Sequence, residues 1–219
     1  MEYVVGSTNE FYRRVIEDLG PERDGRRVLP EGLRVTLLDT SKSVVTLPGF
    51  TLGGETMSRM LEWYCADVPH SGYAKEAAVV MPAGRVDPDR PANNLGFVAM
   101  FAGNGTSQLG ACIKKLREDM QSRPRIRFYQ HPLADMTWDP RAVTQEFRVE
   151  DGKLNSSVMV RECDLFKDLP YDLPWFGSLM ARVAEELGYV GLGRLALGTL
   201  DAFAEEADVE AYRRKGAGA

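Results

Sequence analysis

The feature that most constrains the fold is a strong β-hairpin signal in residues 143–161, "VTQEFRVEDGKLNSSVMVR". Two runs in which apolar and polar residues alternate lie on either side of Asp151-Gly152. A period of two is typical of strands that bury one face, and Asp-Gly is a preferred two-residue hairpin turn. The stretch therefore predicts two antiparallel strands.

Helical spacing of apolar residues, three or four apart, predicts helices in residues 7–20, 107–119 and 176–188. A further helix is predicted at 55–66, and the irregular stretch 66–106 that follows it holds most of the Pro, Gly and Asn. Strands are predicted within "LRVTLLD" and "PRIRFYQHP". Antiparallel strands followed by packed helices imply one α+β domain over the whole chain, residues 1–219.

The charge balance argues against a general nucleic-acid binder. The net charge is −5, from 27 Lys and Arg against 32 Asp and Glu, whereas nucleic-acid binding favours a basic surplus. The sequence shows no apolar run of the roughly 18–20 residues that would span a membrane, and no signal-peptide pattern opens it. We therefore expect a soluble, cytoplasmic protein with neither nucleic acid nor a membrane as partner.

The cysteines and histidines do not predict a metal site. Cys65, Cys112, Cys163, His70 and His131 are widely spaced, whereas a structural zinc site needs closely spaced pairs of ligands. We interpret the cysteines as small buried apolar residues.

Residues 160–177, "VRECDLFKDLPYDLPWFG", follow the hairpin and resemble the thymidylate synthase family. The corresponding line of that family runs Q-R-S-x-D, then a loop G-x-P-x-N, then a helix. "EFRVEDGKL" is similar to its Q-F-x-V-x-D-G-K-L, "MLEWYCADVP" to E-L-L-W-F-L-x-G, "NNLGFV" to D-L-G-P-V, and "REDMQSRPRIRF" to the segment that ends in S-R-R. These matches are collinear over residues 30–205. The resemblance implies a twisted, mainly antiparallel sheet packed with helices.

The resemblance also implies a reaction and a set of binding residues. In the family, 5,10-methylenetetrahydrofolate gives a one-carbon unit to a pyrimidine nucleotide, within a homodimer. Arg161 matches a phosphate-binding arginine, and Arg123 matches one that reaches into the partner subunit's site. Asp164 matches the aspartate that contacts the folate ring, and Asp201 matches the aspartate of a ribose-binding motif. The alternative for Arg123, Arg161 and Asp164 is that they are ordinary charges at strand ends.

Asp172 occupies the position of the family's base-reading asparagine. A carboxylate accepts hydrogen bonds, so it suits the exocyclic amine of cytosine better than uracil. Aspartate is also a preferred residue at a helix N-cap. Both interpretations of Asp172 stay open at this point.

The family's nucleophile is missing, because Pro140-Arg141 stands where the family has Pro-Cys. Arginine stays protonated and cannot attack a pyrimidine ring, and the family's catalytic glutamate is replaced by Met60. Glu162 replaces a phosphate-binding serine and would repel a phosphate. The chain also ends soon after the Asp201 motif, so the resemblance implies a domain shortened at its C-terminus.

Three hypotheses follow. The first is a divergent one-carbon transferase, with Arg141 and Asp172 in the catalytic centre and Arg123, Arg161, Asp164 and Asp201 binding a nucleotide-like substrate. The second is a non-catalytic protein that binds a nucleotide or folate, or that partners an active enzyme. The third is a small α+β domain with a chance string of motifs. For the site itself, we expect Arg161, Asp164 and Asp172 to face one cleft, with Arg141 at its floor. Without a ligand, Arg141 should pair with a carboxylate, for which Asp172 is one candidate.

Overall fold

The structure is a computed structural model, and it describes residues 1–44, 46–47, 107–128, 141–188 and 190–216. Several features named above lie outside the described residues: the helix predicted at 55–66, the irregular stretch 66–106, Met60, Cys65, His70, His131 and Pro140.

The described residues form nine strands and four α-helices. The strands are β1 Glu2–Val5, β2 Arg26–Val28, β3 Leu33–Leu37, β4 Arg125–Arg127, β5 Ala142–Glu150, β6 Lys153–Val160, β7 Glu162–Asp164, β8 Gly191–Thr199 and β9 Asp201–Glu205. The helices are α1 Thr8–Asp18, α2 Gln108–Glu118, α3 Leu169–Glu186 and α4 Glu206–Gly216. The α+β class is therefore confirmed.

The strands form a six-stranded sheet in the order β1-β3-β8-β6-β5-β4 and a three-stranded sheet in the order β2-β9-β7. Four of the seven pairings among the described strands are antiparallel and three are parallel. The strand orientation is thus mixed, where mainly antiparallel was expected. The reason is that the chain runs through α1 between the parallel strands β1 and β3, and through α3 between the parallel strands β6 and β8, as parallel crossovers require.

The predicted hairpin is confirmed as β5 and β6, which pair antiparallel from Glu150 and Lys153 outward. The turn residues Asp151 and Gly152 both have positive φ angles, of 51° and 70°. That backbone matches the twist of the flanking strands, and aspartate and glycine adopt it more readily than other residues.

One face of the six-stranded sheet carries the core. Alternate strand residues such as Tyr3, Val5, Val35 and Leu197 are buried and belong to one apolar cluster that also includes the buried stripes of α1, α2 and α3. The residues between them, such as Val4, are exposed. The helices therefore lie against one side of this sheet, as the alternation predicts.

Helix α3 begins at Leu169, although the sequence predicted a start at Phe176. Pro170 is compatible with the first helical turn, whereas Pro174 lies inside the helix, where proline is unfavourable. Trp175 and Phe176 are buried in the core. Burial of this apolar segment offsets the proline penalty, because packing decides more of helix stability than propensity does.

Candidate functional site

The predicted site residues lie mainly where β5 starts, β6 ends and α3 begins. The Arg161 backbone N–H donates to the Arg141 carbonyl oxygen at 2.8 Å, which brings the two arginines together at the open end of the hairpin. β7 and a short turn then lead into α3. The geometry of this corner follows from the hairpin register and from the early start of α3.

The Arg141 side chain is held by two carboxylates. Its Nε lies 3.2 Å from Glu162 Oε1, and its guanidinium also donates to Asp168 Oδ2. The Arg141 and Glu162 side chains are about half exposed, whereas the Asp168 side chain is only 12% exposed. Arg141 therefore pairs with carboxylates, as expected. Its partner at the start of α3 is Asp168 and not the candidate Asp172, because Asp168 stands at the N-cap of α3, one turn before Asp172.

Asp164 is buried, and its carboxylate is used by the local backbone. Its Oδ1 accepts hydrogen bonds from the N–H groups of Phe166, at 2.9 Å, and Lys167, at 3.0 Å. The Asp164 N–H in turn donates to Asp168 Oδ2 at 3.1 Å. Asp164 thus shapes the turn between β7 and α3, as short polar side chains commonly do.

Burial raises the pKa of the Asp164 carboxyl above its ordinary value, and the nearby charge of Asp168 raises it further, although the two backbone N–H groups oppose the shift. The folded state therefore binds more protons than the unfolded state above the ordinary carboxyl pKa, so this group's contribution to stability falls as the pH rises.

Asp164→Asn should accordingly raise the melting temperature at pH 7, and the gain should shrink as the pH falls toward 4. An amide oxygen can still accept both backbone hydrogen bonds, while the cost of burying a charge is removed. Melting curves at the two pH values check this, with Asp151→Asn in the exposed hairpin turn as the matched control. A loss of stability at pH 7, or a gain that grows on acidification, would contradict the assignment.

Asp172 lies half-buried in the first turn of α3, and its N–H donates to the Asp168 carbonyl at 3.0 Å. The interpretation of Asp172 as the helix N-cap is wrong, because Asp168 occupies that position. Tyr12 is fully buried nearby, and its hydroxyl donates to the Leu165 carbonyl. Burial raises the pKa of Tyr12 well above its usual range, and the charges of Asp164, Asp172 and Asp168 act in the same direction.

Of the other predicted residues, Asp201 lies next to this corner and Arg123 lies apart from it. The Thr199 hydroxyl donates to the Arg161 carbonyl at 2.9 Å and accepts from the Asp201 N–H at 3.2 Å, so Asp201 lies beside the corner. Asp201 also pairs with Glu162 in the parallel register of β7 and β9. Arg123 is exposed between α2 and β4, and within the described part of the chain no contact joins it to Arg141.

The two described cysteines are buried, as predicted. Cys163 is fully buried and Cys112 is nearly so, and burial raises the pKa of the Cys112 thiol to about 11. A thiolate nucleophile needs an accessible, electropositive setting, and neither residue has the required access.

Asp168 is the residue that sequence reasoning missed. It joins Arg141, the Asp164 backbone and the start of α3. The sequence signal for Asp168 is its place two residues before Pro170. Proline is common in the first turn of a helix, and aspartate is a preferred residue at the N-cap just before it.

No protein-family model matches the chain. Among the described residues, no group of three or more His, Cys, Asp or Glu is arranged to hold a metal ion. None of the helices described is long and apolar enough to cross a membrane.

Proposed function

We propose that this chain is a divergent thymidylate synthase-like one-carbon transferase. Its substrate is a pyrimidine nucleotide, of cytosine type, or a related small heterocycle, and its one-carbon donor is 5,10-methylenetetrahydrofolate. In this proposal residues 1–219 are one domain with a thymidylate synthase-like sheet, acting in the cytoplasm as a homodimer.

The observation that supports the proposal is that Arg141, at the position of the family's nucleophile, lies at one corner with the matched residues of the 160–177 segment. Arg141 and Arg161 adjoin through a backbone hydrogen bond. Asp164 and Asp172 both bond to Asp168, which holds Arg141. The hairpin register brings the position of the missing nucleophile to the segment that the resemblance assigns to substrate binding.

Within this proposal each residue has a distinct role. Arg141 supplies a fixed positive charge where the family has its thiol, and Asp172 accepts a hydrogen bond from an exocyclic amine of the base. Arg161 and Asp201 bind the sugar or its substituents at the strand ends. Arg123 contributes from the second subunit of the dimer. Asp164 acts through the turn that it shapes, since its Oδ1 is already engaged.

A second candidate is a non-catalytic homologue that binds a nucleotide or folate, or that partners an active enzyme. The burial of both Cys112 and Cys163 favours it, because the family's reaction starts from an accessible thiolate. Arg141 cannot replace that nucleophile.

Ligand binding and turnover separate the two candidates. The purified protein is melted with a panel of pyrimidine nucleosides, their monophosphates and reduced folates, since a ligand that binds only the folded state raises the melting temperature. Binding together with consumption of 5,10-methylenetetrahydrofolate supports the transferase. Binding without consumption supports the non-catalytic homologue, and no stabilisation by any member of the panel contradicts both.

Arg141→Ala should weaken binding of the best ligand by about tenfold, a change of about 1.4 kcal/mol. The substitution removes the Arg141 charge and leaves Glu162 and Asp168 without that partner. Arg148→Ala is the matched control, because Arg148 lies in β5, is likewise partly exposed and pairs with Glu150 at 3.2 Å. Isothermal titration measures the dissociation constant of each variant. Equal effects of the two substitutions would show that Arg141 does not belong to the binding site.

A further inference from the structure

The charges around Arg141 bear on which pyrimidine the corner can accept. One guanidinium faces two carboxylates, those of Glu162 and Asp168. Among the described residues, the buried Asp164 and the half-buried Asp172 also lie next to Asp168, to which the N–H group of each donates a hydrogen bond. The positive charge of Arg141 is thus already matched by protein carboxylates.

Asp168 cannot easily leave Arg141. Its side chain is mostly buried, and the same Oδ2 atom that contacts Arg141 accepts a hydrogen bond from the Asp164 N–H at 3.1 Å. Rotating it away would leave that buried N–H without its acceptor, which is costly. A phosphate reaching Arg141 would therefore lie beside a fixed negative charge.

Glu162 differs from Asp168 because it is half exposed. Exposed ion pairs contribute little to stability, so Glu162 can be changed without endangering the fold. Its carboxylate nevertheless repels an approaching dianion at the Arg141 guanidinium, since like charges a few ångströms apart repel even near the surface. A ligand without a phosphate meets no such repulsion, and its amine and hydroxyl groups can donate to carboxylates.

We infer that Glu162 and Asp168 determine the specificity of this site, so that it accepts an unphosphorylated pyrimidine, as a nucleoside or free base, in preference to a nucleoside monophosphate. This inference rests on the proposed function and, of the two substrate classes given there, selects the related small heterocycle over the nucleotide. Arg141 then serves to hold Asp168 in place as a hydrogen-bond acceptor, whereas Glu162 acts through its negative charge alone.

The test measures dissociation constants of the full chain for 2′-deoxycytidine and for its 5′-monophosphate by isothermal titration. The wild-type protein should bind the nucleoside at least threefold more tightly. Glu162→Gln should raise the affinity for the monophosphate about tenfold and change that for the nucleoside less than twofold. Glu150→Gln is the matched control, because Glu150 is similarly exposed and pairs with Arg148 at 3.2 Å; it should change neither affinity.

Asp168→Asn provides a second variant, and its melting curve shows whether it is folded at the titration temperature. The folded variant should also shift the preference toward the monophosphate. A wild-type protein that binds the monophosphate as tightly as the nucleoside, or a Glu162→Gln variant with an unchanged preference, would overturn this inference and leave the proposed function standing. Failure of both ligands to bind the wild-type protein and the variants would overturn the inference and count against the proposed function as well.

Discussion

Replacing Trp175 with alanine should lower the free energy of unfolding by about 3–5 kcal/mol. The Trp175 side chain is 1% exposed, and its ring lies 5.6 Å from that of Phe128 and 4.6 Å from that of Phe176. The substitution removes a large buried surface and leaves a cavity that the aromatic neighbours can fill only in part. Because Trp175 lies two turns into α3, the loss also loosens the helix whose start carries Asp168 and Asp172.

Urea unfolding of the variant measures the change. Trp175→Phe keeps an aromatic ring in place and should cost less, and Leu200→Ala is the surface control because Leu200 is 93% exposed. If Trp175→Ala and Leu200→Ala were equally mild, α3 would not pack against the core as the structure describes.

Gly32→Ala should destabilise the protein by about 2–4 kcal/mol, through backbone strain and overlap. Gly32 has a φ of +68°, and a Cβ atom there would lie 2.6 Å from the Thr199 carbonyl oxygen and 2.9 Å from that of Leu200. Both contacts are with backbone atoms of the link between β8 and β9, so no side-chain rotation can relieve them. The same link places Thr199 against Arg161 and Asp201.

Gly25→Ala separates the cost of backbone strain from the cost of atomic overlap. Gly25 has a φ of +79°, but no atom lies within 4 Å of the added Cβ, so this substitution should cost only about 1 kcal/mol for the backbone conformation. Thermal unfolding of both variants tests the difference. Equal losses would show that the close approach of Gly32 to Thr199 is absent in solution.

The parts of the fold that the sequence predicted well depend on local chemistry. Asp151-Gly152 accepts the positive φ angles of a tight turn, so the β5–β6 hairpin is recognisable from a few residues. The helix at residues 107–119 was predicted because Leu109, Cys112 and Leu116 recur at helical spacing, and these residues are buried in α2. In both cases the periodic pattern and the end signals lie within one short segment.

Other features were missed because distant contacts decide them. Pro174 locally disfavours a helix that starts at Leu169. The burial of Trp175 and Phe176 against other elements outweighs this effect of Pro174. The parallel pairings of β1 with β3 and of β6 with β8 depend on how helices cross the sheet. No short pattern in the sequence encodes these two choices.

For the site, the sequence by itself determined which charged groups are available near residues 160–172 and that Arg141 stands where a nucleophile was expected. Only the tertiary structure decided that Arg141 pairs with Asp168 and Glu162, and that Asp164 turns its carboxylate toward the backbone. The physical reason is that an arginine pairs with the carboxylate that the fold brings nearest. Arg141 pairs with Asp168 and not with Asp172 because α3 begins at Leu169, about two turns before the predicted start at Phe176.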